Sequence, residues 1–575
     1  RIMAEEEAPN GALRILNINI GIMGHVDSGK TSLARALSTT ISTAGLDKHP
    51  QSQERGITLD LGFSSFEVPM PEHILQAAPD YDKLQFTLVD CPGHASLIKT
   101  IIGGAQIIDM MMLVIDVTKG VQTQTAECLV VGEILMNHLL VVLNKTDMLP
   151  EAEREAKIEK MQKGLQKVFA GTKFKDPVMI PVSATGGNTE APQAVGLDKL
   201  IAQLRASVVI PHRNPDGPLH FAVDHCFPIK GKGTVLTGTV LNGSIKVNDE
   251  IELPEFRVTK KVKSMQMFKK PVNRATQGDR VAVLVTQLDS KSIERAIVCA
   301  PGSIPTFSAA IISVERVRFY KALCPSKRKF HMTVGHTTVM ATAHFFVLPA
   351  AAGTASGAPL LQGPGAGKET AIDLNKEYLL ADQLLPSGKD APLGSQWALI
   401  VLEKPVTAPA NSLLIGSVLD TDVHSNACRI VFHGRILDTL DPASAAGMAK
   451  LRVYKPKCKT GSIKRVVDDT VVIGKDLFKK ETDITKFINL KVHIETDSGK
   501  IPGYIEGSFG SSGQYRVRCN EPHGLPISKS KAKKGKGKEN DDDNEDDSGR
   551  GGGKIVLAFK KYMFDSVSNN AKIQQ

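Results

Sequence analysis

The chain has 575 residues, 42% hydrophobic and 23% charged, with a formal net charge of +10. At ~150 residues per domain this length gives about four domains of ordinary globular composition. No apolar run reaches the ~18 residues of a membrane span, because the longest, 107–117, is broken by Asp109 and Asp116.

Acidic Glu5–Glu7 stand where the basic region of a signal peptide belongs, and the eight cysteines contain no CxxC pair. Secreted, disulfide-framework and zinc-ribbon readings therefore give way to a reduced, cytoplasmic setting. The charge is unevenly divided. Residues 1–210 hold 19 Lys+Arg against 24 Asp+Glu, whereas residues 211–575 hold 52 against 37. The basic surplus of the second part suits either a polyanion such as nucleic acid or lysines kept for solubility.

Residues 14–210 alternate short apolar runs with helical patterns, which predicts an α/β domain with a largely parallel sheet. The first strand, 16–23, leads into Gly24-His-Val-Asp-Ser-Gly-Lys30-Thr31, a GxxxxGK[ST] loop with a strand before it and a helix after it. Its glycines let backbone N–H groups close around phosphates, Lys30 reaches their outer oxygens, and Thr31 offers a hydroxyl to Mg²⁺. The candidate contacts of this loop are Gly24, Asp27, Ser28, Gly29, Lys30, Thr31 and Ser32.

Strand 84–89 ends in Asp90-Cys-Pro-Gly93-His94, at the edge where open α/β sheets bind ligands. An acid at Asp90 can hold Mg²⁺ directly or through water, and Gly93 can offer its N–H to a γ-phosphate. Strands 111–115 and 139–143 follow, the latter ending in Asn144-Lys145-Thr146-Asp147. A carboxylate at Asp147 accepts from guanine N1–H and the 2-amino group, donors that adenine lacks. Helix 151–169 presents Ile158, Met161, Leu165 and Val168 on one face, and strand 178–182 leads to Ser183-Ala184, a backbone donor for guanine O6. Four loops in this order, each at a strand end, predict GTP binding.

After a linker at 211–218, turns at 231–233, 242–243, 248–249 and 277–279 predict a β-barrel over 216–303. A second β-rich domain, 305–440, is interrupted by an uncharged Ala/Gly/Pro insertion at 350–367. Gly363-Pro-Gly-Ala-Gly-Lys368 imitates a phosphate loop but has no strand before it, and is read as linker. A last β-rich domain, 450–575, contains a disordered loop at 528–553, where six lysines precede a DDDNEDD run. Its clusters Lys455-Pro-Lys457-Cys-Lys459 and Lys464-Arg465 suit tRNA phosphates, a partner, or a solvated face.

GHVDSGKT, RGIT (55–58), DCPGH and NKTD together resemble the translational GTPases related to elongation factor Tu, as does KGKGTVLTGTV at 230–240. Longer stretches, among them GLDKHPQSQERGITLDLGFSSF, VDHCF, VKSMQMF and DLFKKET, are similar to the eukaryotic selenocysteine-specific elongation factors over nearly the whole chain. The resemblance implies delivery of selenocysteinyl-tRNA to the ribosome in the GTP state, release on hydrolysis, and a partner protein that binds the selenocysteine insertion element of the messenger. It assigns Thr58 to the Mg²⁺ shell beside Thr31 and Asp90, His94 to orienting the attacking water, and Val26 and Ile57 to a hydrophobic gate. It makes Asp224, His225 and Arg280 the aminoacyl pocket; from the residues alone, these are equally a strand pair and a turn residue. Two departures from the bulk elongation factors stand out: Ser28 where those usually have histidine, and the fourth domain. An initiation-type tRNA carrier and a metabolic coupling GTPase are the alternatives, the first opposed by the missing CxxC and the second having no need of a basic fourth domain.

Overall fold

The computed structural model describes residues 15–41, 61–77, 79, 81–93, 100, 102, 106–185, 194–290, 293, 295–349, 372–388, 391–420, 428–496, 499–510, 513–527, 553–564 and 573–575. The segment 55–58, His94, the insertion 350–367 with its glycine-rich imitation of a phosphate loop, and residues 528–552 lie outside the described residues.

The chain divides into two compact units: residues 1–345, 363–370 and 383–440 form the first, the remainder the second. In the first unit, β1 (Ile15–Gly24), β2 (Thr40–Ile41), β3 (Gly62–Pro69), β4 (Lys83–Asp90), β5 (Met110–Asp116), β6 (Leu139–Asn144) and β7 (Val178–Pro181) form one sheet in the order β2-β3-β4-β1-β5-β6-β7. The strands from β4 to β7 run parallel, while β3 and β2 are antiparallel additions. Helices α1 (Lys30–Leu37), α2 (Glu72–Ala77), α3 (Thr123–Leu135), α4 (Arg154–Ala170) and α5 (Leu197–Ala206) complete this α/β domain.

Alternation along β1 explains its two faces. Leu16, Ile18, Ile20 and Ile22 join Leu33 and Leu37 of α1 and Leu200 and Leu204 of α5 in the core. Asn17 and Asn19 on the other face are also buried, and both donate to the Gly278 carbonyl, at 2.7 and 3.0 Å. The polar members of the first strand thus dock a turn of the following barrel. Gly278 must be glycine here: its φ is +93°, and a Cβ would lie 2.4 Å from the Arg213 guanidinium. Arg213 itself pairs with Asp109 at 2.7 Å, so the segment expected as a linker is an anchored strut. The apolar face expected on α4 is shifted at its end. Phe169 is buried, whereas Val168 is 44% exposed, because one 100° step turns it out of the stripe.

From β8 (His220–Ile229) and β9 (Gly233–Asn242) to the strand Ala296–Cys299, a barrel-like eight-stranded sheet surrounds Phe221, Leu236, Val240, Ile251 and Val283. Further antiparallel strands, among them Thr306–Ser313, Gln396–Thr407 and Ile430–Leu440, follow within the first unit. Buried Glu127 on α3 receives two hydrogen bonds of 2.8 Å from buried Arg429 beside the last of these strands.

The second unit is a closed β-structure: Val453–Val466, Val471–Lys475, Tyr515–Cys519, Gly499–Ser508, Lys491–Thr496 and Lys554–Tyr562 pair in that order, and the last returns to the first. Val472, Ile494, Ile505, Val517 and Leu557 fill it. The strand Tyr378–Leu380 pairs on one side with Phe346 and Val347 and on the other with the first strand of this structure. Tyr378 and Leu379 pair with Val453 and Tyr454, and Glu377 takes hydrogen bonds from Lys560, Tyr562 and Arg452. Among the described residues, no helix is long and apolar enough to cross a membrane.

Candidate functional site

The glycine-rich loop leaves β1 at Gly24 and enters α1 at Lys30. Gly29 has φ +88° and Asp27 φ +59°, so the loop folds back on itself; no side chain caps α1, whose first N–H groups therefore remain available to an anion. Lys30 is buried and spans the loop, donating to the His25 carbonyl at 2.7 Å. Burial lowers its pKa, and Asp90 opposes that shift. Gly93 lies against the same loop: a Cβ there would sit 2.3 Å from Lys30 Nζ and 2.9 Å from the Val26 nitrogen. The half-buried Val26 is thereby placed beside Gly93.

Thr31 Oγ1 donates to Asp90 Oδ2 at 2.6 Å. A hydroxyl and a carboxylate brought together at the end of β4 form an oxygen set suited to a hard cation. The hydroxyl of buried Ser28 has no hydrogen-bond partner among the described residues, which is an open polar position in the cradle. Ser32 follows in the first turn of α1. Thr58, Ile57 and His94, expected to complete this site, lie outside the described residues.

A second group of loops adjoins it. Asn144 donates to the Ser28 carbonyl at 2.9 Å and accepts from the Ala184 N–H at 3.2 Å, tying all three loops together. Gly29 is what admits the Asn144 amide, since a Cβ would approach Asn144 Nδ2 to 2.2 Å. Ser183 Oγ donates to Asp147 Oδ1 at 2.6 Å, which orients that carboxylate. Lys145, at φ +65°, pairs with Asp116 at 2.8 Å. Asp116 was not among the expected site residues. Burial raises its pKa, but bonds from Lys145 and Thr118 outweigh that and leave it lowered. Its place at the carboxyl end of β5, aligned with Asn144 on β6, is the signal that could have found it.

Asp224, His225 and Arg280 also come together, on β8 and the strand Arg280–Val285. Arg280 is 4% exposed and grips Asp224 with both terminal nitrogens, at 2.5 and 2.9 Å. The same carboxylate bonds His225 Nδ1 at 2.7 Å and Thr237 Oγ1 at 3.2 Å. Burial alone would raise the Asp224 pKa; Arg280 and His225 instead hold it down at about 2. The positive charge of Arg280 is therefore balanced by Asp224. Its remaining donor, the buried Nε–H, has no acceptor among the described residues.

Neighbours that the sequence did not reveal complete this site. Phe63 of β3 stacks on the guanidinium, with Cζ 3.1 Å from the ring centroid. Thr237, Gln266, Phe268 and Lys269 wall a small cavity with Arg280. Phe268 and Lys269 form a two-residue hairpin turn with φ +45° and +68°, a conformation usually left to Asn-Gly. Two bulky residues held there are costly, which is common where a loop is shaped for a ligand.

Comparison with known proteins gives the same sequence of modules. The elongation factor Tu GTP-binding domain matches residues 16–226, and elongation factor Tu domain 2 matches residues 233–299. The family described as selenocysteine-specific elongation factor, eukaryotes, third domain, matches residues 311–434, and the eEFSec C-terminal RIFT domain matches residues 449–568. A mouse selenocysteine-specific elongation factor is 50% identical over 542 residues, 90% of each protein. One from Methanocaldococcus jannaschii is 30% identical over 87% of this chain and 94% of its own length. Among solved structures, the translation elongation factor SelB of Methanococcus maripaludis in complex with the GTP analogue GppNHp superimposes with a TM-score of 0.62 at 25% identity, covering 96% of this chain and 100% of that one. A bacterial selenocysteine-specific factor shares the fold, with a TM-score of 0.53 at 22% identity over 73% of this chain and 58% of that one.

Proposed function

Because this chain belongs to the selenocysteine-specific elongation factors, we propose that it carries selenocysteinyl-tRNA to the ribosome as a GTP complex and releases it after hydrolysis. It is a translation elongation factor and a GTPase. In this reading the loop 24–32 with Gly93 holds the phosphates, and Asn144, Lys145, Asp147, Ser183 and Ala184 hold guanine. Thr31, Asp90 and Thr58 would hold Mg²⁺, which when bound supplies charge to the phosphate oxygens. His94 orients the water, and Val26 with Ile57 restrains it until the ribosome engages. The factor works in the cytoplasm, with a protein that binds the selenocysteine insertion element as a further partner.

The observation that carries the aminoacyl assignment is the buried Asp224–Arg280 pair with its open Nε–H donor. A selenol is more acidic than a thiol and is largely ionised near neutral pH, whereas a serine hydroxyl is not. A fixed guanidinium donor, joined by His225 when it is protonated, favours the selenolate over the seryl precursor on the same tRNA.

The guanine assignment predicts that Asp147→Asn turns one of the two acceptors facing guanine into a donor and removes the negative charge of the other. At about 1.5–3 kcal/mol for the lost charge-assisted bond, GTP affinity should fall by roughly 10- to 150-fold. Xanthosine triphosphate, whose 2-oxo group accepts where guanine donates, should bind the variant better than GTP does. Competition binding of the two nucleotides checks this, and an unchanged GTP preference would reject the assignment.

A further inference from the structure

We propose that Phe63 is a positioning residue that fixes the plane of the Arg280 guanidinium and so sets the preference for an ionised aminoacyl side chain. The proposal rests on the reading of Asp224, His225 and Arg280 as the aminoacyl pocket.

A guanidinium can be held on its edges and on its two faces. Asp224 occupies the edge formed by the two terminal nitrogens, and the Phe63 ring covers one face, with the 3.1 Å approach of Cζ to its centroid. With an edge and a face both taken, the group can no longer turn about its long axis. The direction of the Nε–H, the donor still without an acceptor among the described residues, is then fixed as well. An aliphatic side chain of similar volume would fill the space but would lack the ring's negative face.

The two faces of β3 divide its phenylalanines between the GTPase core and the barrel. Phe66 on β3 enters the core of the GTPase domain and meets Phe86 at 5.2 Å, whereas Phe63, also fully buried, serves the barrel side. In the β3–β4 ladder Gly62 lies opposite Asp90 and Phe63 opposite Val89. The ring that orients Arg280 therefore stands one ladder position from the acid beside Thr31.

The test uses the full chain with a non-hydrolysable GTP analogue and measures its affinity for selenocysteinyl-tRNA and seryl-tRNA. Phe63→Leu should lower the preference for selenocysteinyl-tRNA by roughly tenfold, the scale of a desolvated cation–π contact. Affinities for seryl-tRNA and for the analogue should not change. Phe63→Tyr, which restores a ring, should restore the preference; if the leucine variant does not fold, Phe63→Met takes its place with the same expectation. Equal losses for both tRNAs, or an intact preference without the ring, would overturn the proposal provided Arg280→Ala abolishes the preference in parallel. An Arg280→Ala protein that keeps the preference would instead overturn the pocket reading itself.

Discussion

Glu127→Ala should destabilise the first unit by about 3–5 kcal/mol, the usual cost of breaking a buried ion pair by removing one member. Glu127 is 8% exposed on α3 and Arg429 is 4% exposed, with two parallel bonds of 2.8 Å between them. Arginine does not deprotonate inside a protein, so once Glu127 is lost its charge stays buried without its carboxylate. The pair links the GTPase domain to the third module across 302 residues of sequence, so the loss should appear as a lower melting midpoint of the full chain. Replacing both partners, Glu127→Met with Arg429→Leu, should recover most of the stability, because neither charge then remains to be desolvated. A shift below about 1 kcal/mol for the single variant would mean that the pair behaves as an exposed one.

The second large effect is expected at Arg280. Arg280→Ala should weaken selenocysteinyl-tRNA binding by roughly 10- to 150-fold, the equivalent of one charge-assisted hydrogen bond at about 1.5–3 kcal/mol, and seryl-tRNA binding much less. It should also change how acid acts on the protein. In the native chain the Asp224 pKa is depressed to about 2, since Arg280 and His225 outweigh burial. A depressed carboxylate contributes stability that is present above its unfolded value of ~3.9 and lost as the pH falls through the folded value. Without Arg280 the largest influence opposing burial is gone, so the Asp224 pKa moves up from that value. The unfolded value cancels between the two proteins, so their stability gap should be full above the variant's higher Asp224 pKa and narrow as the pH falls from there towards ~2. Denaturant melts across that range check the sign; a gap that widens in acid would contradict it.

The nucleotide loops were legible in the sequence because each carries its chemistry locally. Gly29 and Gly93 are glycines where a Cβ would strike Asn144 and Lys30, and Asp90 and Asn144 end strands whose apolar runs are themselves readable. The contacts around Arg280, in the proposed aminoacyl pocket, were not. Phe63 reads as one more apolar residue on an ordinary strand, and nothing nearby in sequence says that its partner is Arg280. Nor does Asp224-His225 reveal that its carboxylate neutralises that arginine; the pairing exists only once β8 and the strand Arg280–Val285 share a barrel. Asn17 and Asn19 look like the solvent face of a half-buried strand, yet they bury themselves against Gly278. The pairing of Tyr378–Leu379 with Val453–Tyr454 was equally hidden, because the two segments lie some 75 residues apart in sequence.

The most direct test is the equilibrium affinity of the full chain for selenocysteinyl-tRNA, seryl-tRNA and bulk aminoacyl-tRNAs, measured with a non-hydrolysable GTP analogue and again with GDP. A clear preference for selenocysteinyl-tRNA that is present with the analogue and lost with GDP is the predicted result. Equal affinity for all three tRNA pools in the GTP form would contradict the account.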